Sequence, residues 1–133
     1  MGQHISRSLH GINFVMSSDE DSFIVMDIYA GFNSRHELTI SLDYYDYDFP
    51  VYNCSTAVVV NTEDAFKMAR NNKVKYSELP TFISECMSEW REIINPTLHQ
   101  TRDCFSEIID ALLEENCRFK LERTYGKNNF QCY

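Results

Sequence analysis

Long apolar runs are missing. Nothing in the 133 residues approaches the roughly 20 consecutive apolar positions that a membrane-crossing helix needs, so no membrane role is expected. The opening segment, Met1 to Leu9, carries one arginine and no apolar stretch, which is unlike a secretory leader; the expected location is cytoplasmic. Glycine is scarce, and none of the four forms a Gly-rich phosphate loop. Cys54, Cys86, Cys104, Cys117 and Cys132 are odd in number and share no paired spacing. Reduced thiols are expected, with Cys86 and Cys104 acting as small apolar residues on helices. His4, His10, His36 and His99 are scattered, in neither a His-x₃-His nor a Cys-x₂-Cys arrangement. No metal site and no cofactor are expected from those spacings.

What is present reads as one globular domain over residues 1–133, with 1–10 and 126–133 expected to be loose. Net charge is −8, unevenly spread. Residues 19–64 hold ten acids against one base, Arg35, while the remainder holds ten acids and eleven bases. Such a field repels nucleic acid and attracts basic surfaces. The only basic cluster is Lys67, Arg70, Lys73 and Lys75, best explained as a solvated helix face.

Periodicity divides the chain in two. Ile12, Phe14 and Met16 alternate as a first strand. Phe23 to Ala30 reads as a central strand covered on both faces, broken only by Asp27. His36, Leu38, Ile40, Leu42 and Tyr44 then point to a core, with Glu37, Thr39, Ser41 and Asp43 on a wet face. These three predict an antiparallel meander. Tyr45 to Asn53 contains Pro50 and reads as a loop or edge strand; Thr56 to Val60 is a fourth strand. A helix capped by Thr62 follows and ends at Asn71-Asn72. A second is expected from Ser77 to Ile94, and a third from an Asn95 cap with Pro96 at its first position to about Asn116. Cys117, Phe119 and Leu121 alternate as a last strand. The fold class expected is α+β: an antiparallel sheet of four to five strands packed on three helices.

No residue is singled out as catalytic. Cys54 has no basic neighbour to activate it and reads as an inert thiol. Asp43, Asp46 and Asp48 lack the glycine and terminal glutamate of a calcium loop. His36-Glu37-Leu38-Thr39 is one residue too long for the His-x-Thr of two-histidine phosphoesterases and has no second copy.

The segment from Asp43 to Tyr52 is the one with functional character. Asp43, Tyr44, Tyr45, Asp46, Tyr47, Asp48 and Tyr52 place four tyrosines and three aspartates within ten residues. Tyrosine offers contact area at low entropic cost, and aspartate pairs with arginine or lysine and speeds encounter with a basic partner. The ordinary explanation is an edge kept covered and soluble. The leading expectation is a non-enzymatic acidic binding or inhibitor protein that docks on a basic protein such as a nuclease or toxin. Asp19, Glu20 and Asp21 would extend its field if their turn lies on the same side. In composition the chain is similar to immunity proteins of bacterial toxins and to phage-encoded inhibitors of host defence. Two other readings stand beside it: a small-molecule site or enzyme pocket between sheet and helices, lined by Met87, Trp90 and Phe105, and a homodimer formed through the sheet edge or the tyrosine-rich loop.

Overall fold

The computed structural model describes residues 9–125. The apolar alternations become β1 (His10–Ser17), β2 (Ile24–Phe32), β3 (Leu38–Asp46) and β4 (Cys54–Val60), and β5 (Phe119–Tyr125) returns from the C-terminal half. They form one sheet in the order β1-β2-β3-β4-β5, antiparallel throughout. Helices α1 (Thr62–Asn71), α2 (Leu79–Cys86) and α3 (Leu98–Glu114) complete the α+β arrangement. The expected loose ends lie outside the described residues, apart from Leu9 and His10; His10 begins β1.

Register decides what the helices cover. Ile28 pairs with Leu42, Ala30 with Ile40 and Ile40 with Val58, so one face of the sheet is continuously apolar. The helices complete that core with Met68, Leu79, Ile83, Phe105, Ile108 and Leu112. Sheet and helix layers each bury an apolar face that would otherwise meet water. Gly31 suits a close approach: a Cβ there would lie 3.0 Å from the carbonyl oxygen of His10, so a side chain would press the two strands apart by a few tenths of an ångström.

The return of β5 is held by an ion pair. The Asp64 carboxylate, in the first turn of α1, accepts from the Arg118 backbone N–H at 2.8 Å and from its Nε at 2.9 Å. These bonds hold the Asp64 carboxyl below the usual carboxylate range. They fix the chain one residue before β5, which then pairs with β4 from Val60↔Phe119 to Cys54↔Tyr125.

Several local expectations change. Asn61, not Thr62, caps α1: its side chain accepts from the Asp64 N–H at 3.1 Å. The expected helix from Ser77 to Ile94 is interrupted. A short 3₁₀ turn (Tyr76–Glu78) leads into α2, and another (Ser88–Glu92) follows it. Arg91 explains the break, because its Nη1 donates to the carbonyls of Ser84 and Val15, both at 3.0 Å. The guanidinium claims a carbonyl at the end of α2 and ties the turn to β1. Cys86 is therefore exposed rather than a core residue, and Ile94 is 86% exposed. Asn95 does not cap α3; it takes a positive φ of 52° in the preceding turn. Thr97 caps instead, in a reciprocal box with Gln100 at 2.9 and 3.0 Å. His36 is not on a buried strand face. It sits exposed in the β2–β3 turn at φ 61°.

The face of β3 expected to be wet is buried. Thr39, Ser41 and Asp43 are 0%, 2% and 7% exposed. β3 is the middle strand, and short side chains there sit below taller neighbours; Tyr29 stands directly across from Ser41, and Tyr45 follows Asp43 on the same face.

Candidate partner-binding surface

Two turns meet at one end of the sheet. The β1–β2 turn, residues 18–23, and the β3–β4 turn, residues 47–53, both leave the end where Ile24 pairs with Asp46. A backbone bond joins them: the Tyr47 N–H donates to the Phe23 carbonyl at 2.8 Å. The side that sequence spacing left open for Asp19, Glu20 and Asp21 is thus the side that carries Tyr47, Asp48 and Tyr52.

The local chemistry holds this end in shape. Asp46 is 7% exposed. Its Oδ1 accepts from the N–H groups of Asp48 and Phe49 at 3.1 and 2.9 Å, and its own N–H donates to the Asn53 side chain at 2.6 Å. It is the residue that folds the turn. The 3₁₀ turn Pro50–Tyr52 starts with a proline, where no N–H is needed. Asp21 Oδ1 accepts from the Phe23 N–H at 2.7 Å. Glu20 accepts from the Leu98 N–H at the start of α3, and the Asp19 N–H donates to the Pro96 carbonyl at 2.7 Å. The acidic turn is therefore fastened to the helix layer, and the Glu20 carboxylate lies at the positive end of α3.

The seven residues singled out in the sequence do not form one patch. Tyr47, Asp48 and Tyr52 are exposed at the tip. Asp46 is consumed by the turn. Tyr44 is half-buried on the helix side, opposite Met26 and Cys54, and burial followed by the Asp46 charge raises its hydroxyl pKa. Asp43 and Tyr45 lie on the other face, 7% and 3% exposed. In their place the structure brings up Phe23, Phe49 and Val51, which are 55%, 60% and 43% exposed beside Tyr47 at 51% and Tyr52 at 63%. The Tyr45 and Tyr47 rings stack at 6.3 Å, and those of Phe49 and Tyr52 lie 6.1 Å apart. Sequence reasoning assigned Phe23 to a strand covered on both sides. The signal that it ends outside is its place directly after Asp-Glu-Asp-Ser, which is turn chemistry.

Charge is segregated along the sheet. Asp19, Glu20, Asp21 and Asp48 are exposed at the aromatic end. The basic cluster gathers at the opposite end, by the β2–β3 turn: Tyr76, beside Lys75, donates its hydroxyl proton to the His36 carbonyl and stacks at 4.1 Å on Phe66, beside Lys67. Among the described residues no ion pair joins the two groups.

The other candidates look different in three dimensions. Met87 and Phe105 are 5% and 6% exposed members of the core, and Trp90 packs against it. The recess beside them is an open groove of about 300 Å³ lined by Cys86, Glu89, Trp90, Ile93 and Glu107. Burial pushes the Cys54 thiol above its ordinary value, against a nucleophilic role. Among the described residues no group of three or more His, Cys, Asp or Glu side chains could hold a metal ion, and no helix is long and apolar enough to cross a membrane. The chain matches no protein-family model, no curated protein and no solved structure.

Proposed function

We propose that this protein is a non-enzymatic binding protein whose aromatic, acidic end docks on a basic protein surface. The observation that supports it is the junction of the two turns through Tyr47 and Phe23, which sets five exposed apolar side chains among Asp19, Glu20, Asp21 and Asp48. Exposed apolar clusters rimmed by charge are interaction surfaces, and aromatic rings supply the anchoring area. The carboxylates supply long-range attraction, and the basic cluster Lys67, Arg70, Lys73 and Lys75, at the other end of the sheet, leaves that attraction intact. A nuclease or toxin with a cleft built for phosphates is the class of partner such an end fits, because carboxylates can stand where phosphates would lie.

Capture of partners on the immobilised chain at a series of salt concentrations tests this. The expected partner is basic, its binding falls steeply between low and high salt, and Tyr47→Ala with Tyr52→Ala releases it. Retention that is indifferent to salt, or that survives the tyrosine pair and Asp48→Asn, removes the reading. The packing of Met87 and Phe105 argues against a pocket between the layers. Sedimentation at micromolar concentration separates the proposed monomer from a homodimer built on the same tip.

A further inference from the structure

The groove lined by Cys86, Glu89, Trp90, Ile93 and Glu107 belongs neither to the sheet core nor to the aromatic tip. Its shape follows from the break after α2. Arg91 takes the Ser84 carbonyl, and the chain turns through the 3₁₀ segment Ser88–Glu92 instead of continuing as a helix. The Trp90 N–H donates to the Met87 carbonyl at 3.0 Å, and the Ile93 N–H to the Trp90 carbonyl at 3.3 Å. Glu89 and Trp90 are thereby fixed on the turn, while Glu107 comes from α3. Two carboxylates on separate elements share one open recess of about 300 Å³ with an indole between the core and solvent.

Charge in the groove has one sign. Its lining holds two acids and no base. Arg91, next to Trp90, has its Nη1 committed to the carbonyls of Ser84 and Val15. Among the described residues neither the Glu89 nor the Glu107 carboxylate has an ion-pair partner. Neighbouring thiols register the same field. Burial, then Glu85 and Glu115, raises that of Cys86; burial, then the Glu107 charge, pushes that of Cys104 up to about 12. Exposed carboxylates alone are an ordinary solvated surface. Here a concave wall and a tryptophan, the strongest ring for a cation, accompany them. A guanidinium matches all three groups. Its flat face stacks on an aromatic ring while its in-plane N–H fork reaches carboxylates at the rim; an ammonium is a compact, strongly hydrated point charge with no face to stack.

We infer that this groove is a binding site for a guanidinium group, its plane laid on the Trp90 indole and its N–H groups donating to the Glu89 and Glu107 carboxylates. An arginine side chain of another protein and a free alkylguanidine both carry that group. The site shares no residue with the aromatic tip and does not depend on docking there.

Trp90 is the only tryptophan in the chain, so its fluorescence reports on the groove directly. The full chain is titrated with acetyl-arginine amide and with butylguanidine, and in parallel with acetyl-lysine amide and with sodium chloride at matched ionic strength. The expected result is a saturable change with both guanidines, half-complete on the order of 1 mM, and at least roughly threefold weaker binding of the lysine amide. Glu89→Gln and Glu107→Gln, at exposed positions, each lower the affinity roughly threefold to tenfold. Glu114→Gln, at an exposed position on α3 outside the groove, leaves it unchanged. Tighter binding of acetyl-arginine amide assigns the site to a protein arginine, and tighter binding of butylguanidine to a free ligand; either supports it. No saturable change, an equal response to acetyl-lysine amide or salt, unchanged affinity in both groove variants, or an equal loss in Glu114→Gln overturns the inference.

Discussion

Replacing Ser55 with alanine should make the isolated protein more stable. The hydroxyl is fully buried on the second sheet face, between Asp43 and Thr124, and its oxygen has no hydrogen-bond partner among the described residues. Unfolding returns it to water, so the folded chain carries a desolvation cost of about 1–3 kcal/mol that alanine does not. Alanine fits the site, since Ala57 already lies two residues along the same face at 0% exposure. The lost contacts of one oxygen offset part of the gain, leaving about 1 kcal/mol. With an unfolding entropy of about 2.1 cal/mol/K per residue over 133 residues, that is a rise in Tm of about 3–4 °C. Thermal unfolding by circular dichroism on matched samples measures it. A fall of similar size would show that the hydroxyl is satisfied in solution, for example by a bound water, and the argument from its orphaned state would be refuted.

Other perturbations follow from the same geometry. Asp64→Asn should lower Tm at pH 7. The carboxyl's pKa is depressed by Arg118, so its stabilisation is present above the unfolded value of about 3.9 and lost as pH falls through the lower folded value; melting curves of the two proteins should converge below about pH 4, and a constant difference across that range refutes the pairing. Burial pushes the Cys104 thiol up to about 12 and that of Cys117 up to about 11. At pH 8 iodoacetamide should therefore spare both in the native chain and modify both in urea, as peptide mass mapping would show. Ile108→Ala removes a side chain that is 2% exposed at the centre of the helix layer and should cost about 2–5 kcal/mol in denaturant titration; a cost well under that range would mean the site collapses around the loss.

The strands were legible because period-two alternation survives in single sequences. The register of Leu38, Ile40 and Leu42 against Ile28 and Ala30 is the alternation already visible along the chain. Helix ends were less legible, since caps compete locally. Asn61 outranks Thr62, and Thr97 with Gln100 outranks Asn95, by hydrogen bonds that sequence offers only as alternatives. The break after Cys86 was invisible because its cause, the reach of Arg91 to the Val15 carbonyl, spans 76 positions. The aromatic tip was half legible. Tyr47, Asp48 and Tyr52 advertised it, but alternation sends Tyr44 and Tyr45 to opposite faces once β3 extends through Asp46. One alignment across the sheet could not be read at all. It exists only when four separate registers place Ser17, Asp27, Asp43, Ser55 and Thr124 side by side, and no linear pattern connects them.

The order of strands also sets a schedule. β4 is complete by Val60, yet its partner β5 does not begin until Phe119, after all three helices. During synthesis the run Thr56 to Val60, rich in β-branched residues, must wait with one hydrogen-bonding edge bare while about sixty more residues are made, which at roughly 5–20 residues per second is several seconds. In that interval the nascent chain carries an open ladder, a template for strands of other molecules. Chaperone dependence and inclusion-body formation should therefore track the speed of translation between Asn61 and Arg118 more closely than the melting temperature of the finished fold.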